Sequence, residues 1–265
     1  MKKGISIIQA RMSSRRLPGK TLKKLANKPM IWHVVERAKM CNHIEEVIVA
    51  TSLETTDNPL VDYCLDNQIK VHRGSLKNVL SRYIDIINQY DYDYFVRITG
   101  DCPLIYPKFI DRQIELISRE NADFAWLDKH SSLLVGQGVQ SVKSLKKIGQ
   151  VVSHKDDFEH VGSKYVSENP SKFKIIGLKT PSHLAKTNLR ITVDEYQDYE
   201  VMNELYKSLY LNTPIDFLQA IHWLEKNAHK IINNNDVKDS QINQDVSTNI
   251  QRWAKNINKI YNMNL

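Results

Sequence analysis

Three short segments carry the residue types that bind and transfer charged groups. The first runs Ile8-Gln9-Ala10-Arg11-Met12-Ser13-Ser14-Arg15-Arg16-Leu17-Pro18-Gly19-Lys20. It sets three arginines, two serines and a Pro-Gly-Lys turn behind an apolar strand. Guanidinium forks bind phosphate through paired hydrogen bonds and lysine adds a compact charge, so the loop suits a polyanion. Backbone N–H groups of such a turn offer a further nest for oxygens. The Gly-x4-Gly-Lys-Ser/Thr spacing of a Walker loop is absent, and a solvated basic surface is the plain alternative. The second segment, Val96-Arg97-Ile98-Thr99-Gly100-Asp101-Cys102-Pro103-Leu104, puts Asp101 at a strand end, freed by Gly100 and braced by Pro103. Mg²⁺ takes one or two carboxylates and substrate phosphates, which fits Asp101; the rival role is a helix N-cap. The third, Leu189-Arg190-Ile191-Thr192-Val193-Asp194-Glu195, places Asp194 just before a helix, where alone it reads best as a cap. Two strand-end aspartates beside a basic loop make the set that nucleotidyl transfer requires.

Such residues need a frame that brings them together, and the hydrophobic pattern supplies one. Gly4 to Gln9 and Glu46 to Thr51 read as buried strands, and 10 to 20 as a loop broken by Pro18 and Gly19. Pro29 opens a helix with Ile31, Val34, Val35 and Ala38 on one face. Asn58-Pro59 starts another, carrying Leu60, Val61, Cys64 and Leu65 inward. Lys70 to His72 is a short strand before an Arg73-Gly74-Ser75 turn, Val79 to Tyr90 a helix, and Tyr94 to Ile98 a strand. This alternation predicts a three-layer α/β/α fold on a mostly parallel sheet, with ligands beyond the strands' carboxyl ends. From 123 onward, strands at Phe124 to Leu127, Val139 to Val142 and Lys174 to Leu178 enclose helices near 144 to 151 and 157 to 168. Arg190 to Val193 reads as a strand, and Glu195 to Tyr210 and Pro214 to Leu224 as helices. The organisation is one domain over 1–224, with 123–180 as a small β-containing subregion, and an extension over 225–265. An amphipathic helix over 246–261 is the reading for the end of that extension.

The chain has 265 residues, 42% of them hydrophobic and 25% charged, an ordinary globular mixture. Its net charge of +7 favours an anionic partner, and basic residues crowd the first thirty positions. Interleaved aromatics or a nucleic-acid-reading module are missing, so no nucleic-acid partner is expected. Three cysteines without paired spacing argue against a disulfide framework or zinc site. No apolar run approaches the roughly 20 residues of a membrane span, so no membrane partner is expected and the cytoplasm is the default location.

At IIQARMSSRRLPGK, EEVIVATS, VHRGSLKNVLSRY, VRITGDCPLI and LRITVDEYQDYE, in that order over residues 4 to 210, the chain resembles a known family. It is the spore-coat polysaccharide biosynthesis cytidylyltransferase-like family, related to the 3-deoxy-manno-octulosonate and acylneuraminate cytidylyltransferases. The resemblance implies a nucleotide-diphospho-sugar transferase-like fold, CTP as donor, Mg²⁺ as cofactor and a homodimer joined through 123–180. It implies triphosphate contacts from Arg11, Ser13, Arg16 and Lys20, with Arg16, Lys20 and Asp101 in catalysis. Ala10, Ala50 and Ser52 would lie near base and ribose, Arg73 and Gly100 would join the nucleotide site, and Asp101 and Asp194 would ligate Mg²⁺. The chain departs from the family at Ser13-Ser14-Arg15-Arg16, at Asn78 and at Gln140, where relatives often carry Gly-Ser-Thr-Arg, Asp and an acidic residue.

The small anionic acceptor is expected to be an acidic sugar of the ulosonic or nonulosonic type, used for surface-glycan biosynthesis. Arg97, Gln140 and His160 are its candidate contacts, with Lys129 and His130 as further basic residues. Alternatives are activation of a polyol phosphate or phosphonate and a nucleotide-sugar glycosyltransferase, although the latter's Asp-x-Asp motif is absent near Asp101. A nucleotide-binding protein without catalysis, and an RNA-binding module suggested by charge alone, are rivals from other classes.

Overall fold

The computed structural model describes residues 3–128, 131–153, 155–185, 189–227, 259–263 and 265. Its centre is strand β1 (Gly4–Gln9), apolar toward both layers: Ile5 and Ile7 enter one core and Ile8 the other. Burial on both faces is what a central strand of a parallel sheet needs. After a two-stranded hairpin, β2 (Lys24–Leu25) and β3 (Lys28–Pro29), come β4 (Ile44–Ser52), β5 (Lys70–Gly74) and β6 (Tyr94–Thr99). β4 and β6 flank β1, and β5 lies outside β4, all in parallel. The sheet continues beyond β6 through β8 (Gln137–Ser141), β7 (Phe124–Leu127), β9 (Ile175–Lys179) and β10 (Ile260–Asn262). β8 runs antiparallel to β6 and β7, while β7, β9 and β10 pair in parallel. The strands of 123–180 therefore extend the central sheet.

Helices cover both faces, giving the expected three layers. On one lie α1 (Met30–Lys39), α2 (Asn58–Asp66), α4 (Pro107–Glu120), α8 (Tyr196–Leu209) and α9 (Phe217–Lys226), burying Val34, Leu60, Ile110, Leu205 and Leu224. On the other lie α3 (Val79–Ile87), α5 (Val142–Val151), α6 (Lys155–Glu159) and α7 (Ser163–Glu168), with Tyr83, Leu145 and Val166 in the core. Buried Arg37 of α1 donates to the carbonyls of Ile105 (2.6 Å) and Ile215 (2.5 Å). One guanidinium thus ties α1 to the chain ahead of α4 and ahead of α9.

Several local expectations are corrected. Helix α4 has no counterpart in the sequence reading, although Phe109, Ile110, Ile114, Leu116 and Ile117 trace a helical stripe behind Pro107. The helix expected over 157–168 is two helices, because Val161 (φ 55) and Gly162 (φ 77) adopt left-handed backbone between them. Arg190 to Val193 joins no ladder: Val193 N–H instead bonds the carbonyl of Asp101, beyond the end of β6, at 2.8 Å. Val142 begins a helix rather than ending a strand, Arg73 and Gly74 belong to β5, and Leu65 is exposed. Ile260 and Tyr261 form a strand against β9 rather than the end of a helix, since an open sheet edge offers them backbone partners. Residues 246–258 of that expected helix lie outside the described residues.

Gly100 sits where β1 and β6 release their loops, and its N–H bonds the Gln9 carbonyl at 2.8 Å. A Cβ there would stand 2.8 Å from that of Ala10 and 3.1 Å from the Gln9 carbonyl oxygen. Both obstacles are held by the strand end, so Gly100→Ala should lose about 1–3 kcal/mol of stability in urea denaturation. Wild-type stability would mean that the two loops slide apart at no cost.

Candidate active site

The basic loop is fastened at both ends. Ala10 N–H bonds the Ala50 carbonyl (3.1 Å), Gly19 N–H returns to the Met12 carbonyl (3.0 Å), and the Thr21 hydroxyl donates to the Arg11 carbonyl (2.9 Å). Gly19 has φ 71, left-handed backbone that glycine accepts without a steric cost. Beneath the loop lies fully buried Asp57, just ahead of α2. Its carboxylate accepts from Met12 N–H (2.7 Å), the Thr51 hydroxyl (3.0 Å), Ser52 N–H (3.1 Å) and the Ser52 hydroxyl. Four donors satisfy a charge that would otherwise be costly to bury, and they join the loop to the end of β4. Sequence reasoning missed Asp57, because an Asp ahead of Asn-Pro reads as a helix-start residue.

Lys20 joins the three segments. Its ammonium donates to Asp101 Oδ2 (2.8 Å), the Val193 carbonyl (2.8 Å) and Asp194 Oδ1 (3.1 Å). Burial by itself lowers the Lys20 pKa, but Asp101 and then Asp194 override it and hold the group above its ordinary value. Burial likewise raises Asp101, yet the neighbouring Lys20 ammonium keeps that carboxyl below the usual range. Asp194 also receives Arg16 Nη2 at 2.7 Å, while Arg16 Nη1 stands 3.6 Å from Glu195. Arg190 stands 3.7 Å from Asp194 and 3.1 Å from Asp198, so the site is a compact network of three cations and four carboxylates beyond the carboxyl ends of β1 and β6.

Neither aspartate caps a helix. Tyr106 is the N-cap of α4, and Glu195 caps α8 in a reciprocal box with Asp198. Asp198 accepts from the N–H groups of Asp194 and Glu195, both at 3.0 Å, and from Arg190 at 3.1 Å. Burial raises the Asp198 pKa despite that guanidinium. With α8 capped by its own residues, the Asp194 side chain is released to the site.

The other expected contacts distribute unevenly. Arg11, Ser13 and Arg16 are exposed on the loop; Ala10 and Gly100 are buried at its root. Ala50 and Ser52 are fully buried beneath it, with the Ser52 hydroxyl engaged by Asp57. Arg73 braces the exit of β4, donating Nε to the Ser52 carbonyl (3.0 Å) and Nη2 to the Glu54 carbonyl (3.1 Å). Buried Arg82 of α3, also missed, donates Nη1 to the Ala50 carbonyl (3.1 Å). Arg97 lies on the α3 and α5 face of the sheet, buried Gln140 donates to the Ser144 hydroxyl (3.1 Å), and half-buried His160 follows α6. Lys129 and His130 lie outside the described residues.

An open, mostly parallel sheet with a basic loop and paired carboxylates beyond its strand ends has the form in which α/β proteins bind ligands at the carboxyl ends of their strands. The chain belongs to the cytidylyltransferase family, whose model matches residues 5–239. Uncharacterized protein MJ1063 of Methanocaldococcus jannaschii is 36% identical over 232 residues, 87% of this chain and 94% of that protein. The spore coat polysaccharide biosynthesis protein SpsF of Bacillus subtilis is 27% identical over 225 residues, 83% of this chain and 93% of its own. A cytidylyltransferase structure from Leptospira borgpetersenii serovar Hardjo-bovis aligns with a TM-score of 0.77 at 28% identity, covering 87% of this chain and 97% of its own. Among the described residues no helix is long and apolar enough to cross a membrane.

The Lys20–Asp101 pair has a pH signature. Depressed Asp101 stabilises the fold above its ordinary value of 3.8, and that contribution disappears as pH falls through its lower folded value. Raised Lys20 stabilises below its ordinary 10.5, and the effect disappears as pH climbs through its higher folded value. Lys20→Met should therefore cost about 1–3 kcal/mol at neutral pH, with the gap to wild type narrowing below about pH 4. Urea denaturation at pH 7 and pH 3 measures this, and an equal gap at both would remove the ionic explanation.

Proposed function

We propose that the protein transfers CMP from CTP to an acidic sugar of the ulosonic or nonulosonic type, releasing pyrophosphate and activating that sugar for surface-glycan assembly. The observation that carries the reading is the convergence of Asp101 and Asp194 on the Lys20 ammonium, with Arg16 alongside on the anion-binding loop. Membership of the cytidylyltransferase family supports CTP as donor. The spore-coat polysaccharide relative supports a glycan destination.

In this reading Arg11, Ser13, Arg16 and Lys20 bind the triphosphate. An acceptor hydroxyl oxygen attacks the α-phosphorus in line; the bond to the β-phosphate bridging oxygen breaks, and pyrophosphate leaves with that electron pair. The hydroxyl proton passes to solvent. Arg16 and Lys20 stabilise charge gathering on the leaving group, and the fastened loop orients it before reaction. Asp101 and Asp194 fit a divalent cation, because both already direct an oxygen at one cationic group, Lys20. Mg²⁺ bound there would neutralise phosphate charge and make the acceptor hydroxyl more acidic.

The test is pyrophosphate release with Mg²⁺, comparing CTP, UTP, ATP and GTP against a panel of acidic sugars. CTP-selective release with an acidic sugar is expected, abolished by EDTA and restored by added Mg²⁺. Asp101→Asn should lower kcat by about 100-fold or more with an unchanged circular dichroism spectrum. A fully active Asp101→Asn enzyme would sink the assignment.

A further inference from the structure

Strand β8 lies between β6 and β7, yet Gly138 within it is exposed. Among the described residues, no atom comes within 4 Å of the position its Cβ would take. Gly74, Gly100 and Gly149 would meet neighbours at 2.6, 2.8 and 2.3 Å, so close packing accounts for those glycines. Left-handed backbone accounts for Gly19, Gly136 and Gly162, and Gly138 is not among them. Neither reason applies at Gly138. A glycine inside a strand weakens the strand and often marks the close approach of a ligand.

The walls of this gap have chemistry. The β6–β8 register pairs Arg97 with Gly138, so the Arg97 side chain rises on the same face of the sheet. Phe124 pairs with Gln140, and alternation along β7 brings Trp126 to that face as well. Half-buried Arg97 reaches Gln9 Oε1 at 3.4 Å and hydrogen-bonds Tyr83, but its Nε has no hydrogen-bond partner. Among the described residues no carboxylate lies within salt-bridge distance of its guanidinium. A partly desolvated cation without a counter-ion is unfavourable in the free protein and attracts an anion. Trp126, half-buried, offers an indole for the C–H face of a sugar ring. Buried Gln140, bonded to Ser144, lies two residues along β8 on the same face, beside Phe95, and the Thr99-Gly100-Asp101 end of β6 lies in the opposite direction from Gly138.

We infer that this gap is the acceptor subsite, and that Gly138 sets its specificity. The acceptor's oxyanion lies on Arg97, its ring passes over Gly138 against Trp126, and its hydroxyl faces the Asp101 loop. The inference rests on the CMP-transfer reading above, and it separates two anion sites: phosphates of the donor on the loop 10–20, the acceptor's acidic group on Arg97.

Gly138→Val is the decisive variant, because the space is free and valine favours a strand. It should fold with an unchanged or higher Tm and bind CTP within twofold of wild type. Calorimetric titrations with 3-deoxy-manno-octulosonate, N-acetylneuraminate, mannose 6-phosphate and neutral mannose read the subsite without requiring turnover. Wild type is expected to bind an acidic sugar, with the carboxylate and phosphate arms naming the oxyanion, and mannose not at all. Gly138→Val and Arg97→Met should weaken that binding at least tenfold, with Arg97→Lys recovering part of it. Equal binding by wild type and Gly138→Val overturns the inference, as does wild-type binding of none of the acidic sugars. Acidic-sugar binding that Gly138→Val abolishes, without pyrophosphate release from CTP, supports the subsite and sinks the transfer reading. Release with an acidic sugar that Gly138→Val leaves untouched sinks the subsite alone.

Discussion

Among the described residues, Lys20 is the one side chain that donates to both aspartates of the site, Asp101 and Asp194. Asp101 stands 81 residues beyond it and Asp194 stands 174 beyond it, yet both place an oxygen on its ammonium. Without a cation between them, two carboxylates at this separation repel, and burial makes the repulsion harder to screen. The lysine therefore permits a concentration of negative charge that the fold alone would oppose. In the function proposed above, the same place takes a divalent cation and, through the flanking Arg16, phosphate oxygens.

The sheet fixes where this happens. β1 ends between β4 and β6, so the basic loop and the Asp101 loop emerge side by side. Asp57 then binds the basic loop down onto β4 through four hydrogen-bond donors. Asp194 arrives by another route. Its segment is held by one main-chain bond from Val193 to Asp101 and by the self-capped start of α8. Rigid elements thus present each charged group, while the loop between them keeps exposed arginines available.

The sequence revealed the strong periodic elements and the outlines of the site. Buried runs such as Ile5 to Ile8 and the Thr99-Gly100-Asp101 strand end were legible because burial on two faces and a following Gly-Asp leave few alternatives. Asp57 and Arg82 were not, since a buried polar residue declares itself only through distant partners, here Met12 and the Ala50 carbonyl. Asp194 looked like a cap because the competing cap, the Glu195–Asp198 box, depends on side-chain geometry. Residues 190–193 have the composition of a strand but find no open edge, so tertiary pairing overrode local preference. Helix α4 shows the opposite case: its stripe was present, and the Asp-Cys-Pro motif just before it drew the reading toward a loop.

The anchoring of the basic loop has an evolutionary side. Among the described residues, every hydrogen bond that the Asp57 carboxylate accepts comes from the loop or from the end of β4, and none from β7 or β8. Substitutions along the antiparallel part of the sheet can therefore accumulate without disturbing the loop's conformation. A lineage built on this scaffold is free to remodel one half of the sheet for new chemistry while inheriting the other half intact.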